Sequence, residues 1–202
     1  MNEQEAHWMG EPGDTYTATF QLPPSELDAL WLKQAGVKRS ELALSTIGDL
    51  PRSTPILEVG CNCGNQLMML ASLGFSDLQG IDLNLSAVRT ALTVRGLRVQ
   101  QGNADHLPFP NWSFGLVFTS GVLSHLPPEQ VGAAVSEIIR VSRDLIWGCE
   151  YREYNPPWPS RLWPAKYQEF FAAEGCELLG LQDLSGGVSS FLMRRPACIA
   201  TK

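Results

Sequence analysis

Two thiols, two glycines and a carboxylate mark the places where this chain has groups capable of chemistry. Cys61 and Cys63 lie one residue apart inside Gly60-Cys-Asn-Cys-Gly64, and Asp82 closes the apolar run "LQGID" further on. Downstream, His125 stands in "SGVLSHLPP", and Glu150 and Tyr154 flank "CEYREY". A thiol pair suggests a metal; a glycine loop suggests a cradle for a small ligand. Spacing favours the loop. Paired zinc cysteines are usually separated by two to four residues, and no matching Cys/His pair follows these two. No metal is therefore expected, and the thiols are expected to pack the loop.

These groups need elements to hold them. "ILEVGC" (56–61) reads as a buried strand, short, apolar and bounded by Pro55 and the glycines. "NQLMMLASLG" reads as the helix after it, stopped by Gly74. The alternation continues, with strands at "DLQGIDL" (77–83), "RVQQGNA" (98–104), "FGLVFTS" (114–120) and "DLIWGCEY" (144–151). Between them, "LSAVRTALTVRG" is a helix with Asn84 or Ser86 as cap. "PPEQVGAAVSEIIRVS" is another, with Val131, Ala134, Val135, Ile138 and Ile139 along one face. After the helix "PAKYQEFFAAEG", the runs "CELLGLQDL" and "SSFLMRR" are joined by a turn short enough for an antiparallel pair. The pattern predicts an α/β fold, a seven-stranded, mostly parallel sheet with an antiparallel last strand and helices on both faces. Residues 1–50 differ: an extended start, then helices at "PSELDALWLKQ" and "RSELALSTIGD".

Composition narrows the classes. The 202 residues carry a net charge of -6 with scattered Lys and Arg, so no nucleic-acid partner is expected. No apolar run reaches the ~18 residues of a membrane span, and the acidic, polar start "MNEQEAH" is unlike a signal peptide. No membrane partner and a cytoplasmic location are the expectations. The five cysteines, an odd count with mostly apolar neighbours, predict reduced and largely buried thiols.

In doubly wound sheets, ligands bind beyond the carboxyl ends of the strands. The glycine loop and Asp82 fall at two such ends. A carboxylate there can accept both ribose hydroxyls of an adenosine-containing ligand. A nicotinamide cofactor is one alternative, but its loop reads G-x-G-x-x-G around a pyrophosphate, and here the glycines are G-x-x-x-G. The order "LEVGCNCG", acid, "GNADHLPFP", "FGLVFTSGVLSHL" resembles class I S-adenosylmethionine-dependent methyltransferases over roughly residues 55–196.

The resemblance implies a Rossmann-like S-adenosylmethionine-binding domain over residues 51–202. It implies that Glu58, Gly60, Cys61, Asn62 and Gly64 line the amino-acid end of the cofactor. Asp82 would hold the ribose, with Leu83 against the adenine and Asn103, Ala104 and Asp105 at its edge. Ser120 and Gly121 would floor the methionine part. Asn62-Cys63 and Gly115 depart from the commonest pattern without removing a charge the cofactor needs. More narrowly, "EAHWMGEPGDTYT", "GVLSHLPP" and "CEYREYNPP" are similar to methylases associated with pseudaminic acid biosynthesis. That implies an N-terminal lid carrying Trp8 and Tyr16, and a small-molecule acceptor methylated on O or N, such as a sugar or a secondary metabolite. "TATF" after Tyr16 departs from that group.

Methyl transfer from a sulfonium is an in-line displacement, and a base is needed only for a hydroxyl or protonated amine acceptor. His125 is either that base or a histidine that holds a loop. Glu150, Tyr151 and Tyr154 are expected on the same rim, to bind or deprotonate the acceptor. A nicotinamide oxidoreductase and a cofactor-binding module without turnover are the alternatives. The sequence does not define the oligomeric state.

Overall fold

The computed structural model describes residues 2–94, 96–153 and 161–197. Tyr154, the rest of the "NPPWPS" stretch and Cys198 lie outside the described residues.

Seven strands form one sheet: β1 (Ile56–Val59), β2 (Leu78–Asp82), β3 (Arg98–Gln101), β4 (Phe114–Ser120), β5 (Ser142–Tyr151), β6 (Glu177–Asp183) and β7 (Val188–Arg194). Their order is β3-β2-β1-β4-β5-β7-β6. Strands β1 to β5 run parallel, and β7 is antiparallel to both its neighbours, as the short turn before it predicted. The order reverses between β1 and β4, which opens a crevice at their carboxyl ends.

Strand alternation assigns each side chain a face. On one face Ile56, Leu78, Leu116, Phe118 and Trp147 pack under α3 (Pro24–Ala35), α4 (Arg39–Ile47), α5 (Asn65–Ser72) and α6 (Leu85–Ala91). On the other, Leu57, Ile81, Val117 and Ile146 pack under α7 (Pro128–Val141) and α8 (Tyr167–Ala173). Helix α7 buries Val131, Ala134, Val135 and Ile138 of the stripe read from its spacing, with Ile139 half-buried beside them. β4 is fully buried along six of its seven residues, as befits a strand covered on both faces.

The extended start does not exist. Residues 3–19 form α1 (Glu3–Met9) and α2 (Glu11–Thr19). The cause is local and readable: Asn2 accepts from the Glu5 N–H at 2.8 Å while the Glu5 carboxylate accepts from the Asn2 N–H at 2.9 Å. That reciprocal pair is a capping box, and Pro12 starts α2 where a missing N–H costs nothing. Helices α3 and α4 form where the sequence predicts them, and their Leu27, Ala35, Leu42, Ala43 and Ile47 belong to the core of the first face.

Candidate functional site

The loop after β1 turns by three left-handed residues: Gly60 (φ 73°), Asn62 (φ 46°) and Gly64 (φ 82°). Asn is the side-chain-bearing residue that tolerates this region best. A Cβ on Gly60 would stand 2.3 Å from Val122 Cγ2, so the loop also needs glycine to pass under the β4 end. The two thiols diverge. Cys61 packs against Gly80, where a Cβ would meet its Sγ at 2.6 Å. Cys63 lies 3.5 Å from the Phe20 carbonyl and 3.2 Å from Asn65 Oδ1. Burial pushes the Cys61 thiol well above its usual range and Cys63 to about 11, so both are packed, protonated thiols.

Asp82 is fixed from both sides. Its Oδ2 accepts from the Asn62 N–H at 2.7 Å, and its Oδ1 from the Asn84 N–H at 2.8 Å. Burial raises its carboxyl above the ordinary value, while donation by Asn84, Asn62 and Leu83 backbone opposes the rise. Asn84 is the cap of α6, accepting from the Ala87 N–H at 2.8 Å, and it does a second task. Its amide donates to the Trp8 carbonyl at 2.8 Å and to Asp14 Oδ1 at 2.9 Å. Thus α1 and α2 are tied directly to the residue pair that orients Asp82.

Other ties follow the same line. Thr17 donates to Asn62 Oδ1 at 2.9 Å, Asn103 donates to Glu5 Oε1 at 2.9 Å, and Gln4 donates to the His125 carbonyl at 2.8 Å. The rings of Trp8 and Tyr16 meet edge to face at 5.5 Å, and Trp8 meets the His125 ring at 5.0 Å. The first two helices therefore close over the strand ends through hydrogen bonds and aromatic contacts together.

Below them lies a cavity of about 500 Å³. It is lined by Trp8, Tyr16, Glu58, Gly60, Cys61, Asn62, Asp82, Leu83, Asn103, Ala104, Ser120, Gly121 and His125 among the residues read from sequence. Glu58 is buried, with Oε1 accepting from Gln66 at 3.0 Å and Oε2 without a partner among the described residues. Burial pushes its carboxyl well up, and the charge of Arg39 acts against that. Gln66 bridges to Arg39, whose fully buried guanidinium lies 4.0 Å over the Trp147 ring and 4.6 Å over Trp31.

Three expected site residues take other roles. Gly64 does not line the cavity; it starts α5 in the left-handed conformation, where a Cβ would meet Leu97 at 2.8 Å. Asp105 does not line it either, because the chain turns away after Ala104. Glu150 points to the opposite side of β5 from Cys149 and Tyr151, which do line it. Its carboxylate accepts from the Val122 N–H at 3.1 Å, the Ser124 N–H at 3.2 Å and the Ser124 hydroxyl at 3.0 Å. It holds the turn Leu123–His125 and is a positioning group, not an acceptor-facing base.

His125 does face the cavity. Its Nδ1 lies 3.1 Å from the Arg161 carbonyl, which assigns the proton to Nδ1 and leaves Nε2 as the lone-pair nitrogen. Burial holds its pKa down at about 4, so the ring is neutral at pH 7.

The sequence reading missed a whole wall. Leu27, Leu30, Trp31 and Gln34 of α3 line the cavity opposite Tyr151 and Val188. The signal was present in "LDALWLKQ", whose apolar residues cover more of the helix than core contact alone requires.

Residues 56–144 match the family model described as a methyltransferase domain, and the fold is that of the class I S-adenosylmethionine-dependent methyltransferases. Among curated proteins the chain is similar to an uncharacterized protein of Haemophilus influenzae, 32% identical over 117 residues, 54% of this chain and 46% of that protein. The chain thus spans about half the length of that curated relative. Among solved structures it is similar to the magnesium protoporphyrin IX methyltransferase of Synechocystis with bound SAH, with a TM-score of 0.70 and 14% identity, covering 95% of this chain and 98% of that one. A chain from the Haloferax volcanii complex that contains the Trm112 methyltransferase activator gives a TM-score of 0.72 and 16% identity over 97% and 99% of the two chains. The [4+2]-cyclase SpnF gives a TM-score of 0.67 and 16% identity over 78% and 79%.

Proposed function

We propose that the protein is an S-adenosylmethionine-dependent methyltransferase that moves a methyl group to O or N of a small molecule. The observation that carries this reading is Asp82: a cavity-lining carboxylate at the end of β2, held by two backbone N–H groups, beside a left-handed glycine loop. The match of residues 56–144 to a methyltransferase domain supports it.

The donor set fits that cofactor. Glu58 offers an unpartnered, buried carboxylate oxygen suited to an ammonium group, and Asp82 retains acceptor capacity for ribose hydroxyls. Leu83 and Ala104 offer apolar surface for the adenine, with Asn103 at its edge; Gly60, Cys61 and Asn62 would hold the methionine end over the floor of Ser120 and Gly121. When bound, S-adenosylmethionine supplies a sulfonium-activated methyl group. The protein's part is to align the acceptor and exclude water. Residues 1–50 supply that exclusion on this reading, with α1 and α2 as a lid carrying Trp8 and Tyr16. His125 lines the cavity, and with Nδ1 engaged by the Arg161 carbonyl its Nε2 lone pair would be the one to take a proton from a hydroxyl acceptor. A pKa of about 4 makes it a weak base, so it serves an acceptor that is already acidic.

Isothermal titration with S-adenosylhomocysteine and, separately, with NAD tests the cofactor. Incubation with labelled donor and a metabolite panel tests turnover and separates an enzyme from a binding module. Binding of NAD alone would defeat the proposal.

A further inference from the structure

The cavity has two halves of different chemistry. One lies at the carboxyl ends of β1, β2 and β3 and holds Glu58, Asp82 and Asn103. The other lies at the ends of β4 and β5 and the start of β7, roofed by α3, and is faced by Leu27, Leu30, Trp31, Tyr151 and Val188. Tyr16 and Phe20 of the lid, with ring centroids 4.5 Å apart, extend this apolar wall.

Charge is the sharper observation. Among the described residues, no lysine or arginine lines the cavity. Outside the described residues, 154–160 contain neither, and the cations there are Arg95 and Lys202. The neighbouring cations are committed elsewhere. Arg39 stands behind the wall, fully buried, with Nε on Gln66, Nη1 3.1 Å from Cys149 Sγ, Nη2 without a partner among the described residues, and its plane against Trp31 and Trp147. Arg152 pairs with Asp183 at 3.2 Å and Glu153 at 2.9 Å. Arg161 faces Glu3 at 3.9 Å and Gln4 at 3.5 Å. The cavity's own ionisable carboxyls, Glu5, Glu58 and Asp82, are all acidic.

With the neutral S-adenosylhomocysteine in place, an anion entering such a site loses hydration and meets no cationic side chain in the described lining, which disfavours it. A ring-bearing, uncharged molecule loses little hydration and gains contact with Trp31, Leu30 and Tyr151. Resting on the methyltransferase reading above, we infer that the β4–β5–β7 half of the cavity selects a neutral, apolar, ring-bearing methyl acceptor and rejects acidic sugars and sugar nucleotides. Of the two acceptor classes that the sequence suggested, an uncharged secondary metabolite fits this lining and an acidic sugar does not.

The test uses the full chain saturated with S-adenosylhomocysteine. Isothermal titration is run with 2-naphthol, with its carboxylate analogue 3-hydroxy-2-naphthoate, and with UDP-N-acetylglucosamine. The inference predicts 2-naphthol binding at least about tenfold tighter than the carboxylate analogue, and no binding of the sugar nucleotide. Leu30→Lys, which adds a cation at a half-buried position of the cavity wall, is expected to narrow or reverse that ratio. Trp31→Ala is expected to weaken 2-naphthol while the affinity for S-adenosylhomocysteine stays within about twofold. Equal or tighter binding of the anionic analogue, binding of the sugar nucleotide, or binding of neither ring compound overturns the inference. Failure of S-adenosylhomocysteine itself to bind is a different result, and it defeats the methyltransferase reading on which the inference rests.

Discussion

The two halves of the cavity are built by different rules. The β1–β2–β3 half is made by backbone: left-handed turns, amides aimed at Asp82, and a cap shared between Asn84 and the lid. The β4–β5–β7 half is made by side chains brought from α3, β5 and β7, far apart in sequence, and by Glu150 holding a turn from behind. Backbone geometry demands particular residue types at fixed spacing, so the first half is stated in a short motif. A wall of apolar side chains demands only volume and apolarity, and many sequences satisfy it. The first half suits a fixed cofactor and the second an acceptor that differs between proteins of one fold.

The comparison breaks if mutations in the two halves give the same phenotype. The largest effect is expected at Glu150. Glu150→Ala strands the N–H groups of Val122 and Ser124 and the Ser124 hydroxyl in a buried place, at about 1–3 kcal/mol for each unpaired group. Chemical denaturation should show a loss of about 3 kcal/mol or more, and Glu150→Gln should recover part of it by retaining an acceptor oxygen.

His125 gives an effect that appears only on acidification. Its pKa is about 4 in the folded chain, below the ordinary 6.5 of an unfolded histidine. A depressed value means the unfolded state binds the proton first. The stability from keeping His125 neutral is therefore complete above pH 6.5 and is lost as pH falls toward 4, up to about 3 kcal/mol. The melting temperature of wild type should fall over that window more steeply than that of His125→Asn. As a base, His125 should also matter to turnover, and His125→Ala should slow it while leaving cofactor affinity nearly intact.

In the backbone-built half, Asp82→Ala is expected to weaken cofactor binding by about 1–3 kcal/mol with a smaller loss of stability. The smallest effect is expected at Asn84. Replacing it by Ala removes the α6 cap, at about 0.5–2 kcal/mol, and frees the Trp8 carbonyl and Asp14. Amide hydrogen exchange in residues 3–19 should then quicken relative to α3, which is anchored in the core.

How much was legible follows from the same contrast. Most of the strands could be read because they are short apolar runs between breakers, β3 (RVQQ) being the exception read from the alternation of elements, and the antiparallel β7 followed from a turn too short for a crossover. The glycine loop was legible because the backbone needs those types there, Asp82 because it closes a strand beside that loop, and Asn103 only through the family resemblance. Helix α1 carries a readable signal, the capping box of Asn2 and Glu5, in a stretch expected from sequence to be extended. Glu150 was misplaced for a reason of parity. Trp147 packs on the first face, so Cys149 and Tyr151 share its side and Glu150 cannot. The α3 wall was not legible as a site, because an apolar face reads first as core. Arg39 was invisible for a similar reason: it is enclosed between Trp31 of the preceding helix and Trp147, which is distant in sequence.

The central claim is that Asp82 and the loop beside it grip an adenosyl sulfonium compound or its product. Isothermal titration of S-adenosylhomocysteine into wild type and Asp82→Ala tests it most directly. The account predicts one site in wild type, affinity about 10- to 100-fold weaker in the variant, and no heat from NAD in either. Equal affinity in the two proteins, or heat from NAD and none from S-adenosylhomocysteine, would contradict it.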